Sequence, residues 1–246
     1  MLSIGGIAVS TIYLIHGLMG TSQYHFGQQI QAWQTSHDVV PLDLPGHGNN
    51  PCEAHDPFIQ PALTWVREQI EKHGKGHIVG LSLGASVAIH VALKYPELCD
   101  SIVLTGYVPA IPSNMTGIME EQYEMLLNIE ENSPEVAKEF MSLHGEKWHQ
   151  TLKAVLKDIT FNYPTVTHEQ IQRLNVPTLV LNGSTEKHER DAVCEMANLN
   201  EAIQGGLIPG AGHTANMQQP DTYNLVVQAF WTRIQSTDSI KPNSKT

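Results

Sequence analysis

The sequence predicts an α/β fold, with a mostly parallel central sheet, helices on both of its faces and a helical cap inserted near the middle of the chain. Three observations predict it. Short β-rich runs alternate with stretches of helical spacing through the first third of the chain, the alternation stops after residue 106, and it resumes near residue 177. Strands joined by long helical crossovers lie parallel to their neighbours, whereas a tight turn would make them antiparallel.

The elements follow in order. Thr11-Ile-Tyr-Leu-Ile15 is a buried-strand run that ends in the loop His16-Gly17-Leu18-Met19-Gly20. Residues 24–34 read as a helix and Asp38–Leu42 as the next strand, broken by Pro45-Gly46-His47-Gly48. Ile59–His73 has helical spacing through Leu63, Val66 and Ile70, residues 77–80 are strand-like, and a helix follows over about 83–95, ahead of Pro96. Residues 101–105 are again β-rich. From 107 to 163 the apolar residues Met119, Met125, Leu126, Ile129, Val136, Phe140 and Leu143 fall at helical spacing with no strand among them, which marks an inserted cap. A strand at 178–181, a helix over 191–198, a short strand at 206–208 and a last helix over 222–234 complete the core. The expected organisation is therefore a core of residues 1–106 and 164–236, a cap of 107–163 and a frayed tail of 237–246.

Composition excludes several function classes. With 41% apolar and 16% charged residues the chain reads as an ordinary globular protein. Its formal charge of -11 repels phosphate backbones, so nucleic acid is not an expected partner. The first ten residues lack the basic start and apolar run of a secretory signal, and no stretch is apolar for long enough to span a bilayer, so the expectation is a cytoplasmic protein without a membrane partner. Cys52, Cys99 and Cys194 are odd in number and lack C-x-x-C spacing, which predicts neither disulfides nor a metal site, only small buried or half-buried thiols.

The strongest chemical signal is Gly80-Leu81-Ser82-Leu83-Gly84, a G-x-S-x-G between a strand run and an alanine-rich helix (Ala85, Ala88, Ala92). So abrupt a strand-to-helix turn strains the serine backbone and holds its Oγ above the sheet edge, while the flanking glycines let neighbouring backbone pass. The helix that follows aims unpaired N–H groups at the place where negative charge would develop. A serine hydroxyl is barely ionised near neutrality and needs a base within hydrogen-bond reach.

On these residues the chain resembles the α/β-hydrolase family over almost its whole length. Four landmarks occur in that family's order: His16-Gly17, Asp43-Leu-Pro-Gly-His-Gly48, the serine turn, and Gly210-Ala-Gly-His213. The resemblance implies a catalytic triad of Ser82 as nucleophile, His213 as general base and an acid after the strand at 178–181. Glu186 stands at the usual acid position, with Asp191 as the runner-up. It also implies an oxyanion hole made by the backbone N–H groups of Leu83 and of Leu18, with Met19 as the neighbouring candidate, and a close approach to substrate at Gly17. The other histidines are assigned structural parts: His47 as a turn stabiliser, and His37, His55, His144, His149 and His168 as solvated surface.

Specificity is expected from the cap. It holds no arginine, and Lys138, Lys147, Lys153 and Lys157 are spaced as a solvated face, unlike relatives that clamp dicarboxylates with cap and elbow arginines. Met115, Met119, Met125 and Met141 offer an adaptable apolar lining, with Met119 the named contact. The implied activity is cofactor-free and metal-free hydrolysis of a small carboxylic ester or thioester through an acyl-enzyme, by a monomer or homodimer. A C–C bond hydrolase or lyase using the same triad, and a non-catalytic small-molecule receptor, are the alternatives.

Overall fold

The computed structural model describes residues 3–4, 7–8 and 10–240. In chain order the strands and helices are β1 (Ser3–Ile4), β2 (Ile7–Ala8), β3 (Thr11–Ile15), α1 (Ser22–Trp33), β4 (Asp38–Leu42), α2 (Ile59–His73), β5 (Gly76–Leu81), α3 (Leu83–Lys94) and β6 (Cys99–Thr105). Next come the inserted helices α4 (Thr116–Leu127), α5 (Ile129–Asn132), α6 (Pro134–His144) and α7 (Trp148–Phe161). The chain then continues through α8 (His168–Arg173), β7 (Thr178–Gly183), α9 (Lys187–Leu199), β8 (Ile203–Ile208), α10 (Ala215–Gln218) and α11 (Pro220–Ile240).

The six strands β3 to β8 form one parallel sheet in the order β4-β3-β5-β6-β7-β8, and β1 and β2 pair as a separate antiparallel hairpin. The chain starts the sheet at β3, steps outward to β4, and returns past β3 to lay down β5. Connections leaving β3 and β5 therefore diverge, and a crevice opens beyond their C-terminal ends, which is where open α/β sheets hold ligands. Ile15 pairs with Gly80 and Leu81 with Thr105, so the loops following β3, β5 and β6 end at one level.

Burial follows from the strand sequences. Both faces of β3 and β5 are covered, and both strands are buried throughout, as expected of parallel strands lined by helices. One apolar cluster packs α2 and α3 on one face, through Leu63, Val66, Val87 and Val91. A second packs α1 and α11 on the other, through Phe26, Trp33, Tyr223 and Trp231. α3 lies against β5 and β6 with its alanines buried, which permits the close helix–sheet approach that the elbow requires.

Several boundaries differ from the sequence reading. α9 begins at Lys187 rather than near 191, and β8 begins at Ile203, because its glycines Gly205 and Gly206 carry a ladder with β7 that propensity disfavours. The tail expected from 237 starts inside α11, which continues to Ile240; residues 241–246 lie outside the described residues. Of the cysteines only Cys99 is buried; Cys52 and Cys194 are exposed, Cys194 on the outward face of α9.

Candidate active site

Ser82 is the residue at which β5 turns into α3, and its φ of 54 lies in the left-handed region that a side chain avoids. The strain is held by its surroundings. Ser82 N–H donates to Thr105 O at the end of β6 (2.8 Å), and Ser82 O accepts from Ala85 and Ser86 (2.9 and 3.1 Å). The flanking glycines are required by backbone contacts: a Cβ on Gly84 would stand 2.0 Å from Ile15 O, and one on Gly80 2.4 Å from Gly84 O.

His213 lies in the loop after β8, against the same end of β6. Gly106, the residue after Thr105, has φ 57, and a Cβ there would meet the His213 ring at 2.9 Å (Cε1) and its carbonyl at 2.6 Å. Ser82 and His213 thus touch consecutive residues of the β6 terminus. His213 Nδ1 lies 2.5 Å from Glu189 Oε1, and the Glu189 carboxylate is buried while the imidazole stays half-exposed.

The acid against the imidazole is therefore Glu189, and the expectation for Glu186 is corrected. Glu186 is the exposed N-cap residue of α9 and receives a 3.4 Å contact from Thr185 Oγ1; Asp191 pairs with Lys187 on the outer face. The reason is helical geometry. Glu189 occupies the third position of α9, where side chains lean back toward the N-terminus and so toward the loop carrying His213. A sequence signal existed: Glu189, Ala192, Val193 and Met196 are the buried stripe of this helix. Placing the helix start near 191 left Glu189 in a loop and hid the pattern.

The loops bearing acid and base are joined. Ser184 N–H donates to Ile208 O (3.1 Å), Thr185 N–H to Ala211 O (3.0 Å), and Gly210 N–H to Ser184 Oγ (2.8 Å). A Cβ on Gly183 would sit 2.2 Å from Gly212 O, so only glycine permits this approach. Asn182, wholly buried at the end of β7, donates to Glu189 O (3.0 Å) and Tyr107 O (2.9 Å) and accepts from Tyr107 N–H (3.1 Å). The second carboxylate oxygen of Glu189 is buried without a hydrogen-bond partner.

Across the crevice, the loop after β3 passes beside the serine. A Cβ on Gly17 would lie 3.3 Å from Ser82 Cβ. Gly20 N–H donates to Gly17 O (3.3 Å) and closes a turn with Leu18 and Met19 at its centre, Met19 at φ 48. Leu83, at the first position of α3, has an N–H that the helix itself cannot satisfy. Met119 is half-buried in α4, while Met125 and Met141 are exposed and cannot belong to an interior lining.

Four imidazoles surround this loop. His16 Nε2 accepts from Leu44 N–H (2.9 Å), which leaves Nδ1–H to donate to Gly17 O (2.8 Å). His25 Nδ1 accepts from Gly17 N–H (3.1 Å). Rings of His16 and His47 stand 4.7 Å apart, those of His47 and His144 5.3 Å. Burial pushes His16 down to about 4, opposed by its bond to Gly17, and burial with the neighbouring His16, His213 and His144 pushes His25 down to about 3. Burial, then His16 and His144, holds His47 well below the usual range, and burial lowers His144. All four are neutral near pH 7. His47 donates to Pro45 O (3.0 Å), in keeping with a turn stabiliser, but the surface expectation for His144 is corrected, since its side chain is 3% exposed and lies between two loops.

The insertion is anchored on the segment that runs from the end of β4 to the start of α2. Thr151 Oγ1 donates to Gly46 O (3.0 Å), Gln150 to Ala54 O (2.9 Å) and Lys147 to Asn50 O (2.8 Å), while Asp158 accepts from the N–H groups of Phe58 and Ile59 (2.7 and 2.9 Å). Met19 packs with Ile129, Ala137, Trp148, Leu152 and Leu156 in a cluster of its own. Among the described residues no group of His, Cys, Asp and Glu side chains is arranged to hold a metal ion, and no helix is long and apolar enough to cross a membrane.

Comparison with known proteins agrees with this architecture. Residues 12–224 match the alpha/beta hydrolase family. Carboxylesterase YbfK of Bacillus subtilis is 24% identical over 241 residues, covering 91% of this chain and 80% of that protein. The crystal structure of NosK from Streptomyces actuosus superposes with a TM-score of 0.87 at 34% identity, covering 93% of this chain and all of the other. The meta-cleavage product hydrolase CumD from Pseudomonas fluorescens shares the fold, with a TM-score of 0.68 at 19% identity over 91% of each chain.

Proposed function

We propose, from the premise that this chain belongs to the alpha/beta hydrolase family, that it is a serine hydrolase cleaving a small carboxylic ester or thioester. The observation that carries the reading is the buried Glu189 carboxylate on His213 Nδ1, with that ring seated on Gly106 next to the strand end that holds the strained Ser82. Likeness to a carboxylesterase along most of both chains supports an ester over other acyl substrates.

In this mechanism Ser82 Oγ attacks the carbonyl carbon as its proton passes to His213 Nε2. Glu189 accepts the Nδ1–H bond, fixes the tautomer and stabilises the imidazolium without taking the proton itself. The carbonyl oxygen becomes an oxyanion facing the N–H groups of Leu83 and of Leu18 or Met19. Collapse of the tetrahedral species breaks the bond to the alcohol or thiol, which leaves with the proton from His213. Water, deprotonated by the same imidazole, then attacks the acyl-serine and releases the acid. Substrate passes between Gly17 and the half-buried Met119. The absence of arginine from the insertion, with Lys157 paired to Asp56 and Lys147 held on Asn50 O, favours an uncharged acyl group.

The test is hydrolysis of p-nitrophenyl esters of increasing chain length by the wild type and Ser82→Ala. A fall in kcat/KM of about a thousandfold or more is expected for the variant, on the scale of other serine triads. Activity within about twofold of wild type would remove the nucleophile and the proposal with it. Labelling of Ser82 by a fluorophosphonate separates an acylating serine from one that acts only by polarising its substrate.

A further inference from the structure

We infer that His144 is a positioning residue for the oxyanion loop: from the inserted helices it holds the Met19–Gly20 peptide, which closes the turn on Gly17, and so fixes where that turn sits beside Ser82. The inference rests on the serine-hydrolase reading above.

Gly17, Leu18, Met19 and Gly20 form a four-residue turn closed by Gly20 N–H on Gly17 O. In such a turn the sign of φ at the third residue sets the direction of the central peptide; a positive value there reverses the peptide relative to the commoner turn. Met19 has φ 48, and Leu18 is not among the positive-φ residues. The central peptide, Leu18 C=O and Met19 N–H, therefore lies in the reversed orientation. Glycine normally fills this third position, and an unbranched side chain there is still strained. So strained a residue persists only where the surrounding structure over-determines it.

His144 supplies one such contact. Its Nδ1 accepts from Gly48 N–H at 3.0 Å, which leaves the proton on Nε2, and Nε2–H donates to Met19 O at 3.0 Å. Gly48 also has positive φ, 49, so one imidazole joins two left-handed residues on two separate loops. The ring is 3% exposed, stands edge-on to His47, and ends α6, where Gly145 with φ 66 turns the chain away. The Met19 side chain belongs to the same apolar cluster as Trp148 and Leu152, and apolar packing sets no direction for a carbonyl. The bond from His144 supplies that direction: Met19 O and Gly20 N–H are the two ends of one peptide, and His144 Nε2–H and Gly17 O hold them both. Seating of the insertion and placement of the oxyanion turn are thus one event.

Two amide substitutions divide the two bonds. In His144→Gln the longer side chain carries its amide as far as Nε2 reached and can still donate to Met19 O; in His144→Asn the amide reaches only as far as Nδ1 did and keeps Gly48. We therefore expect His144→Gln to retain kcat within about fivefold, and His144→Asn and His144→Leu to lose about thirtyfold or more, with KM changed by less than about threefold, on the scale of a misdirected oxyanion donor. The Asn variant matching the Gln variant, or all three variants losing melting temperature and KM with kcat unmoved, would reduce His144 to a packing residue. Ser82→Ala assayed alongside separates the two readings. Full activity in Ser82→Ala overturns the hydrolase proposal and this one together, whereas an inactive Ser82→Ala with a fully active His144→Asn overturns only the role of His144.

Discussion

Asn182 donates a 3.0 Å hydrogen bond to the backbone carbonyl of Glu189, the residue whose carboxylate meets the imidazole of His213. The carboxamide also takes both backbone groups of Tyr107, so one buried side chain joins the end of β7, the start of the insertion and the first turn of α9. Replacing Asn182 by Ala leaves the Tyr107 amide unsatisfied in the interior, which costs about 1–3 kcal/mol for a buried group of this kind. It also loosens the turn that aims the acid. Urea denaturation and ester hydrolysis are expected to fall together, with kcat reduced more than KM is raised. An Asn182→Ala variant of unchanged stability would contradict the assignment.

Glu189→Gln keeps the shape of the acid and removes its charge, so the imidazolium formed during catalysis loses its counter-ion. A decrease in kcat of about a hundredfold to ten-thousandfold is the range for this change in serine triads. Glu186→Ala and Asp191→Ala, both on exposed side chains, are expected to stay within about twofold of wild type, since surface changes away from a site rarely matter. Equal losses at Glu186 and Glu189 would mean that the loop rather than the carboxylate matters.

The sheet, its helices and the serine turn were legible because each depends on local pattern: β-rich runs, helical spacing, and a glycine-flanked serine between them. Ser82 was singled out this way, and His213 by what the resemblance implies for the loop after the last strand. Glu189 was not, because choosing an acid required the start of α9 to within two residues, and helix ends are where pattern is weakest. His144 was hidden for a different cause. Its partners are the backbone groups of Met19 and Gly48, far away in sequence, and such groups carry no side-chain signature.

Acid should destabilise the fold through the buried histidines. The free imidazole value is about 6.5. His16 is held near 4 and His25 near 3, and His47 is also lowered. Below about pH 6.5 the unfolded chain takes up protons that these native groups refuse, so stability falls as pH drops toward 4 and is unaffected by them above 7. Each fully depressed histidine contributes at most about 1.4 kcal/mol per pH unit within that window. Protonating His47 is costly as well, because its Nε2 is buried without a hydrogen-bond partner. Urea midpoints measured from pH 7.5 to 5 should decline throughout the lower half of that range. A flat profile would mean that these imidazoles are hydrated in solution.

Two glycine substitutions should act in opposite directions. A Cβ at position 84 would collide with backbone, 2.0 Å from Ile15 O, so Gly84→Ala is expected to unfold the elbow or abolish activity. Gly117, inside α4, has nothing within 4 Å of its added Cβ, and alanine there should stabilise the helix by about 0.5–1 kcal/mol. Thermal melting of the two variants distinguishes a glycine required by contact from one that is merely tolerated.

The inserted helices leave the sheet after β6 and return to it at β7, yet the hydrogen bonds described above tie them to residues 19, 46, 48, 50, 54, 58 and 59. The hydrogen bond between Glu189 and His213 is braced by Asn182 and by the stitched loops beyond β7 and β8. The inserted helices and the acid–imidazole contact thus hang on different loops and meet at Tyr107, whose backbone Asn182 holds. Exchanging the helices between residues 116 and 161 would disturb the turn at Leu18 and Met19 before it reached Glu189.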